Sequence, residues 1–246
     1  MEHYGSSTYG DRIAGVYDDW YEGFFDTDAA VEFLHGLSGG GPALELGVGT
    51  GRIALPLSQR GVEMQGIDAS SAMVDVLRAK RGGDAVIVHM GDFAEVPVEG
   101  LFRLAFVVFN TFFGLLTQEA QVSCFRNVAS HLMDGGTFVL ECFVPDVTRF
   151  TNHQRVGVER IRENEVLLDT SRHDPVNQRV QSMHTVIAGG GNHLYPVHIR
   201  YAWPSELDLM AQLAGLRLRE RWAGWRGERF DSSSASHVSV YEKLTA

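Results

Sequence analysis

Cysteine is scarce in this chain. Its 246 residues include two, Cys124 and Cys142, both inside apolar stretches and far from any CxxC spacing. That count argues against a disulfide framework or a structural zinc site, and a reducing compartment is expected. Basic side chains are also few: 21 Lys plus Arg stand against 31 Asp plus Glu, for a formal charge of -10 and a pI near 5.4. Such a surface repels phosphate backbones, so nucleic acid is not an expected partner. No apolar run approaches the roughly 20 residues of a membrane-spanning helix, and no membrane partner is expected. The opening Met1-Glu2-His3-Tyr4-Gly5 has neither the basic nor the apolar segment of a secretory leader, so the expected location is cytoplasmic. Apolar residues, by contrast, make up 44% of the chain against 21% charged, ample for one packed core with an appendage.

The order of patterns divides the chain into four parts. Residues 1–42 are aromatic and acidic together, with Tyr9, Tyr17, Trp20, Tyr21, Phe24 and Phe25 interleaved with Asp18, Asp19 and Glu22; they read as an N-terminal helical lid. Asp28 is a candidate cap for a helix that the Gly39-Gly40-Gly41-Pro42 run stops. Over 43–143, apolar runs of strand length alternate with helical periods, and Leu104 to Phe109 is apolar throughout, the mark of a strand buried on both faces. That alternation predicts an α/β, doubly wound, mostly parallel sheet. Over 144–204 the pattern changes to strand-like segments at Val156 to Asp169, Arg179 to Ile187 and Leu194 to Tyr201, joined by Asp174-Pro175 and a Gly189-Gly190-Gly191-Asn192 turn. These predict an antiparallel β insertion, serving as a lid or a subunit contact. Residues 205–246 return to the core with a helix capped by Ser205 and two closing strands.

The informative stretch is Glu45-Leu46-Gly47-Val48-Gly49-Thr50-Gly51-Arg52, between a strand and a helix. Glycines let backbone turn tightly and let a ligand lie against peptide groups. A dinucleotide site wants GxGxxG, yet position 52, where the third glycine should fall, is arginine. The observed GxGxG, with an acid two residues ahead, resembles the first motif of class I S-adenosylmethionine-dependent methyltransferases. Asp68 at the end of the second strand, Gly91-Asp92-Phe93 after the third and Phe109-Asn110 at the end of the fourth stand in that family's order. The resemblance implies a seven-stranded Rossmann-like sheet with S-adenosylmethionine as cofactor. It also implies Asp68 on the ribose hydroxyls, Asp92 on the adenine amino group and Phe93 against the adenine ring. Tyr17, Glu45, Gly47, Gly49, Gly51, Arg52, Ala69, Met73, Phe109 and Asn110 complete the implied cofactor contacts.

Methyl transfer from a sulfonium is an in-line displacement, in which the protein mainly aligns the acceptor and excludes water. Aromatic walls suit it, because ring faces attract the cationic centre. Tyr17 and Tyr9 are the expected catalytic residues, orienting the acceptor's lone pair or relaying its proton; Tyr9, Trp20 and Phe113 are the expected acceptor contacts. The segment before Ala14 has little apolar content, so this lid is expected to be weakly anchored. His173, His184, His193 and His198 fall in the insertion without ligand spacing and read as packing or surface residues, so no metal is expected. The aromatic N-terminus, the Gly49-Thr50-Gly51-Arg52 variant of the motif and the insertion together look similar to antibiotic-pathway N-methyltransferases, those acting on lincosamide intermediates in particular. The resemblance thus implies methylation of an amine nitrogen on a small molecule, by a homo-oligomer. Three readings compete: an O-methyltransferase, an NAD-linked oxidoreductase using Gly47, Gly49 and Asp68, and a non-catalytic cofactor-binding protein. The arginine at 52 and the position of Asp92 count against the second.

Overall fold

The computed structural model describes residues 4–244; Met1 to His3, which carry part of the expectation of no leader, and Thr245 and Ala246 lie outside them. The alternating pattern resolves into a central sheet whose most apolar runs are its innermost strands. The elements run α1 Thr8–Ile13, α2 Tyr17–Tyr21, α3 Thr27–Ser38, β1 Ala43–Leu46, α4 Ala54–Gln59, β2 Met64–Asp68, α5 Ser71–Ala79, β3 Ile87–Met90, β4 Phe102–Val107, α6 Gln118–His131 and β5 Leu132–Phe143. They continue with β6 Gln154–Arg162, β7 Glu165–Asp174, β8 Arg179–Ala188, β9 Gly191–Arg200, α7 Pro204–Leu213, β10 Leu216–Trp222 and β11 Ser236–Lys243.

The main sheet has seven strands in the order β10-β11-β5-β4-β1-β2-β3. Pairings from β3 to β5 are parallel, while β11 runs antiparallel between β5 and β10. Every residue of β1 is buried, and β4 is buried except at Arg103, as strands covered on both faces require. On one face α3 and α4 pack through Val31, Leu34, Leu55 and Leu57; on the other α6 and α7 pack through Phe125, Val128, Leu207 and Met210. Strand order reverses between β1 and β4, which opens a crevice at the carboxyl ends of these strands, where such sheets bind ligands.

The insertion is a separate four-stranded antiparallel sheet, β6-β7-β8-β9. The run Val156 to Asp169, expected as one strand, is two: β6 and β7 turn at Glu163-Asn164, a pair without glycine or proline to mark it. Two caps also differ. Asp26 rather than Asp28 accepts the Ala29 N–H at 3.3 Å to start α3, and α7 begins with Pro204 at its first position after Trp203, so Ser205 lies within the helix. Arg200 at the end of β9 ties the two sheets together. Its side chain, 6% exposed, donates to Gln121 of α6, to Gln178 at 3.0 Å and to Glu206 of α7 at 2.7 Å.

Candidate active site

The crevice above β1, β2 and β4 opens into a cavity of about 910 Å³. Its floor is the turn from Gly47 to Arg52. Gly47 has φ of 74°, and a Cβ there would stand 2.5 Å from Thr111 Cγ2, so only glycine fits the close approach of the two loops. Asp68, leaving β2, accepts the Gly49 N–H at 2.7 Å on Oδ2 and the Ser70 N–H at 2.8 Å on Oδ1. Burial raises its pKa, and these backbone donors oppose the rise. The second lone pairs of both oxygens remain for hydroxyl donors in the cavity. Asp92 is similarly prepared: Oδ1 takes the Ala94 N–H at 2.9 Å, beside the partly buried ring of Phe93.

Two side chains at the ends of this turn, Glu45 in β1 and Arg52, carry buried polar atoms without partners. Glu45 is 3% exposed, its Oε2 has no hydrogen-bond partner, and burial raises its pKa well above the ordinary value, a cost that a cation beside it would offset. Arg52 donates from Nη1 to the Tyr21 carbonyl at 2.7 Å, while its Nε is buried and unpartnered. Its guanidinium lies 5.2 Å from the Tyr17 ring centroid and 5.7 Å from those of Phe25 and Phe109. An unmet donor on Arg52 and an unmet acceptor on Glu45 match the carboxylate and ammonium of an α-amino acid. That pairing, with Asp68 for a ribose and Asp92 and Phe93 for an adenine, fits S-adenosylmethionine.

The N-terminal segment folds over this floor. Thr50 donates to Asp18 at 2.7 Å, Lys80 pairs with Asp18 at 2.6 Å, and Ser70 donates to Asp11 at 2.7 Å. Ile13, fully buried, packs with Met73. The segment before α3 is thus anchored by a small apolar cluster, in which Ala14, Val16 and the aromatic rings join Ile13 and Met73, and by polar contacts to Thr50, Ser70 and Lys80, more than its apolar content suggested. α3 itself packs on the sheet. Underneath, the Tyr9 and Tyr21 hydroxyls are 3.1 Å apart, and the Tyr17 and Tyr21 ring centroids 4.9 Å. Burial raises the pKa of Tyr9 and Tyr17 far above neutrality, so both phenols keep their protons. They can orient an acceptor; they do not serve as bases.

Of the residues expected at the site, Tyr9, Tyr17, Trp20, Glu45, Gly47, Gly49, Arg52, Asp68, Ala69, Met73, Asp92, Phe93, Phe109 and Asn110 line the cavity. Two do not. Gly51 faces the side chains of Leu55 and Leu77, each of which would stand 3.0 Å from a Cβ at that position, so it serves the packing of α4 and α5. Phe113 is fully buried in the core, edge-on to Phe143 at 4.9 Å; it is Phe143 that reaches the cavity. Phe109 and Asn110 lie just beyond β4 rather than in it, with φ of 56° and 63°, a strained pair for non-glycine residues. The Glu141 carboxylate holds them through the Phe109 N–H at 2.9 Å, and Asn110 Oδ1 accepts the Phe143 N–H at 2.7 Å.

Other cavity residues carry no signal in the sequence. Tyr21 is one aromatic among several, with nothing local to single it out. The inner face of the small sheet supplies Arg155, Glu159, Arg160, Asp169 and His184, so the insertion is the cavity's far wall. Among the described residues no group of three His, Cys, Asp or Glu side chains is arranged to hold a metal ion.

Comparison with known proteins bears on the family. Residues 43–136 match a family described as a methyltransferase domain. The structure of the CcbJ methyltransferase from Streptomyces caelestis is 41% identical and superposes with a TM-score of 0.92, over 98% of this chain and 100% of that one. The cypemycin N-terminal methyltransferase from Streptomyces sp is 28% identical over 207 residues, 83% of this chain and 84% of the relative. At the level of fold, CalS10 from Micromonospora echinaspora, an amino pentose methyltransferase solved with S-adenosylmethionine bound, has a TM-score of 0.70 at 21% identity, over 93% of this chain and 97% of that one. The chain belongs to the class I S-adenosylmethionine-dependent methyltransferases.

Proposed function

We propose that this protein methylates an amine nitrogen of a small-molecule natural product, with a lincosamide intermediate as the narrower candidate. The observation that carries this reading is the two-ended cavity: an amino-acid and nucleoside cradle at the strand ends, and beyond it a chamber walled by Tyr9, Tyr17, Trp20 and Tyr21 and by the charged face of the small sheet. The chamber suits one compact polar molecule with an apolar flank. The 28% identical relative named for methylating an N-terminus supports nitrogen as the acceptor atom. The exposed apolar side chains of the edge strand β6, Val156 (74%), Val158 (56%) and Ile161 (74%), support assembly with further copies.

The cofactor supplies an electrophilic methyl on a positive sulfur. The chain's own part begins with binding: Arg52 and Glu45 hold the amino-acid end, Asp68 and Asp92 the nucleoside. Closing the aromatic lid removes water, and burial lowers an amine's pKa, so the acceptor gives up its proton more readily. An acceptor N–H donated to the Tyr17 or Tyr9 oxygen leaves the nitrogen lone pair free and aimed. Tyr17→Phe is expected to lower kcat several-fold while affinity for S-adenosylhomocysteine changes little, because the lost bond belongs to acceptor alignment. Wild-type turnover in the Tyr9/Tyr17 double Phe variant would remove both residues from the catalytic set.

The reading itself is tested with an N-demethyllincosamide, a mono-N-methylated amino sugar and a peptide with a free N-terminus, each beside an analogue with hydroxyl in place of the amine. At least one amine should be methylated and its hydroxyl partner not. Equal turnover of the hydroxyl analogues would point to oxygen as the acceptor and overturn the reading.

A further inference from the structure

The inner face of the small sheet is polar where packing alone would make it apolar. Leu167, Asp169, Ser171 and His173 of β7 are buried and sit opposite Val186, His184, Ser182 and Val180 of β8. Apolar residues occupy this face near one end, at Leu167 and Val186, and at Val180 near the other. Between them Asp169 and Ser171 are only 4% and 6% exposed. Buried polar groups are costly unless paired, and most of these are: Asp169 accepts from Arg155 at 2.6 Å and from Ser171 at 3.1 Å, and the Ser171 and Ser182 hydroxyls are 2.9 Å apart. His184 is the exception. Its Nε2 lies 3.8 Å from Asp169 Oδ1, too far for a hydrogen bond, and its Nδ1 is buried with no partner.

We propose that His184, with Asp169 beside its Nε2, takes the proton from the acceptor amine before methyl transfer; this assignment rests on the N-methylation reading above. An amine that arrives as an ammonium ion has no lone pair to offer. Its N–H proton passes to His184 Nε2, the ring nitrogen that is not sealed off, and the imidazolium so formed faces the Asp169 carboxylate. The freed nitrogen pair forms the new N–CH3 bond while the S–CH3 bond breaks, its electron pair staying on sulfur. The product amine keeps the positive charge that the sulfonium loses.

The surroundings favour His184 for this role over other cavity residues. Burial lowers its pKa, which keeps it neutral and ready, and Asp169 and then Glu159 oppose the shift. Arg155 and Arg160 of β6 and Tyr195 of β9 complete the charged and titratable groups around it, and Trp20, 6.5 Å away ring to ring, closes it toward the lid. His198 also lines the cavity, but its ring is stacked on Tyr4 at 3.9 Å, and burial and Arg179 both disfavour its charged form. Tyr9 and Tyr17 hold their protons, and the acids Glu45 and Asp68 belong to the cofactor end.

Two measurements test the assignment. NMR titration of labelled histidines in the full chain should show the His184 pKa falling by about one pH unit or more in Asp169→Asn, the scale of losing an opposite charge at this distance. With the amine that the wild type methylates best, His184→Gln should lower kcat about 100-fold at neutral pH, leave affinity for S-adenosylhomocysteine unchanged, and regain rate at alkaline pH where the amine deprotonates itself. Wild-type kcat and pH profile in His184→Gln, or a His184 pKa indifferent to Asp169→Asn, would overturn this assignment alone. Failure of the wild type to methylate any amine would instead overturn the N-methylation reading, and this assignment with it.

Discussion

Replacing Arg200 by methionine is expected to destabilise the protein by about 3–5 kcal/mol, the cost of breaking a buried ion pair from one side. Arg200 is buried, and Gln121, Gln178 and Glu206 all spend hydrogen bonds on it. Gln178 and Gln118 also donate to Glu206, at 2.8 and 2.7 Å, so the network joins the β7–β8 turn, β9, α6 and α7. Without the guanidinium, Glu206 keeps its charge with only amides to meet it. Thermal unfolding should show a Tm lowered by roughly 10 °C, given a few degrees per kcal/mol for a chain of this size. The double variant Arg200→Met, Glu206→Met, which keeps the Gln121 bonds to the Leu115 and Arg200 carbonyls, should recover part of that loss, because it leaves no orphaned charge. A loss below about 1 kcal/mol in the single variant would show that this ion-pair network contributes little to holding the two sheets together.

Arg52→Gln is expected to weaken S-adenosylhomocysteine binding by about 1.5–3 kcal/mol, or roughly tenfold to 150-fold, as for removal of hydrogen bonds between charged groups. The reason is local: its Nε is buried without a partner, and three aromatic rings fix the guanidinium in place. Lysine should rescue only part of the loss, since it lacks the planar fork that meets a carboxylate at two points. Titration calorimetry with a decarboxylated cofactor analogue separates the causes. Wild type and Arg52→Gln should bind that analogue alike if the arginine serves the carboxylate. A large difference would assign Arg52 to holding the Tyr21 carbonyl and the lid instead.

The cofactor end was legible because its signals are local. An acid and three glycines at alternate positions, then an acid at or just past the end of each of the next two strands, follow one another by one strand–turn–helix period, so spacing alone brings them to one edge of the sheet. Gly51 shows the limit: it belongs to the motif, yet it serves helix packing at Leu55 and Leu77. Phe113 shows another. An aromatic just past a strand end reads as a pocket wall, but the short 3-10 turn Thr111–Gly114 rotates it into the core against Phe143. The far wall was not legible. Asp169 and His184 lie 15 residues apart in sequence and meet only because β7 and β8 pair in that register. Period-2 alternation tells which residues share a face, not which face turns toward a cavity. The four-stranded sheet was itself hard to count, because Glu163-Asn164 makes its turn with neither glycine nor proline.

The central claim is that the methyl group leaves S-adenosylmethionine for nitrogen on a small molecule. The most direct measurement supplies 13C-methyl-labelled S-adenosylmethionine with an N-demethyllincosamide or amino sugar and records the carbon shift of the labelled methyl in the isolated product. The account predicts a single new N–CH3 resonance, coupled to the carbons beside that nitrogen and absent without enzyme. A labelled methyl on oxygen or carbon, or label that never leaves the cofactor with any of these acceptors, would contradict it.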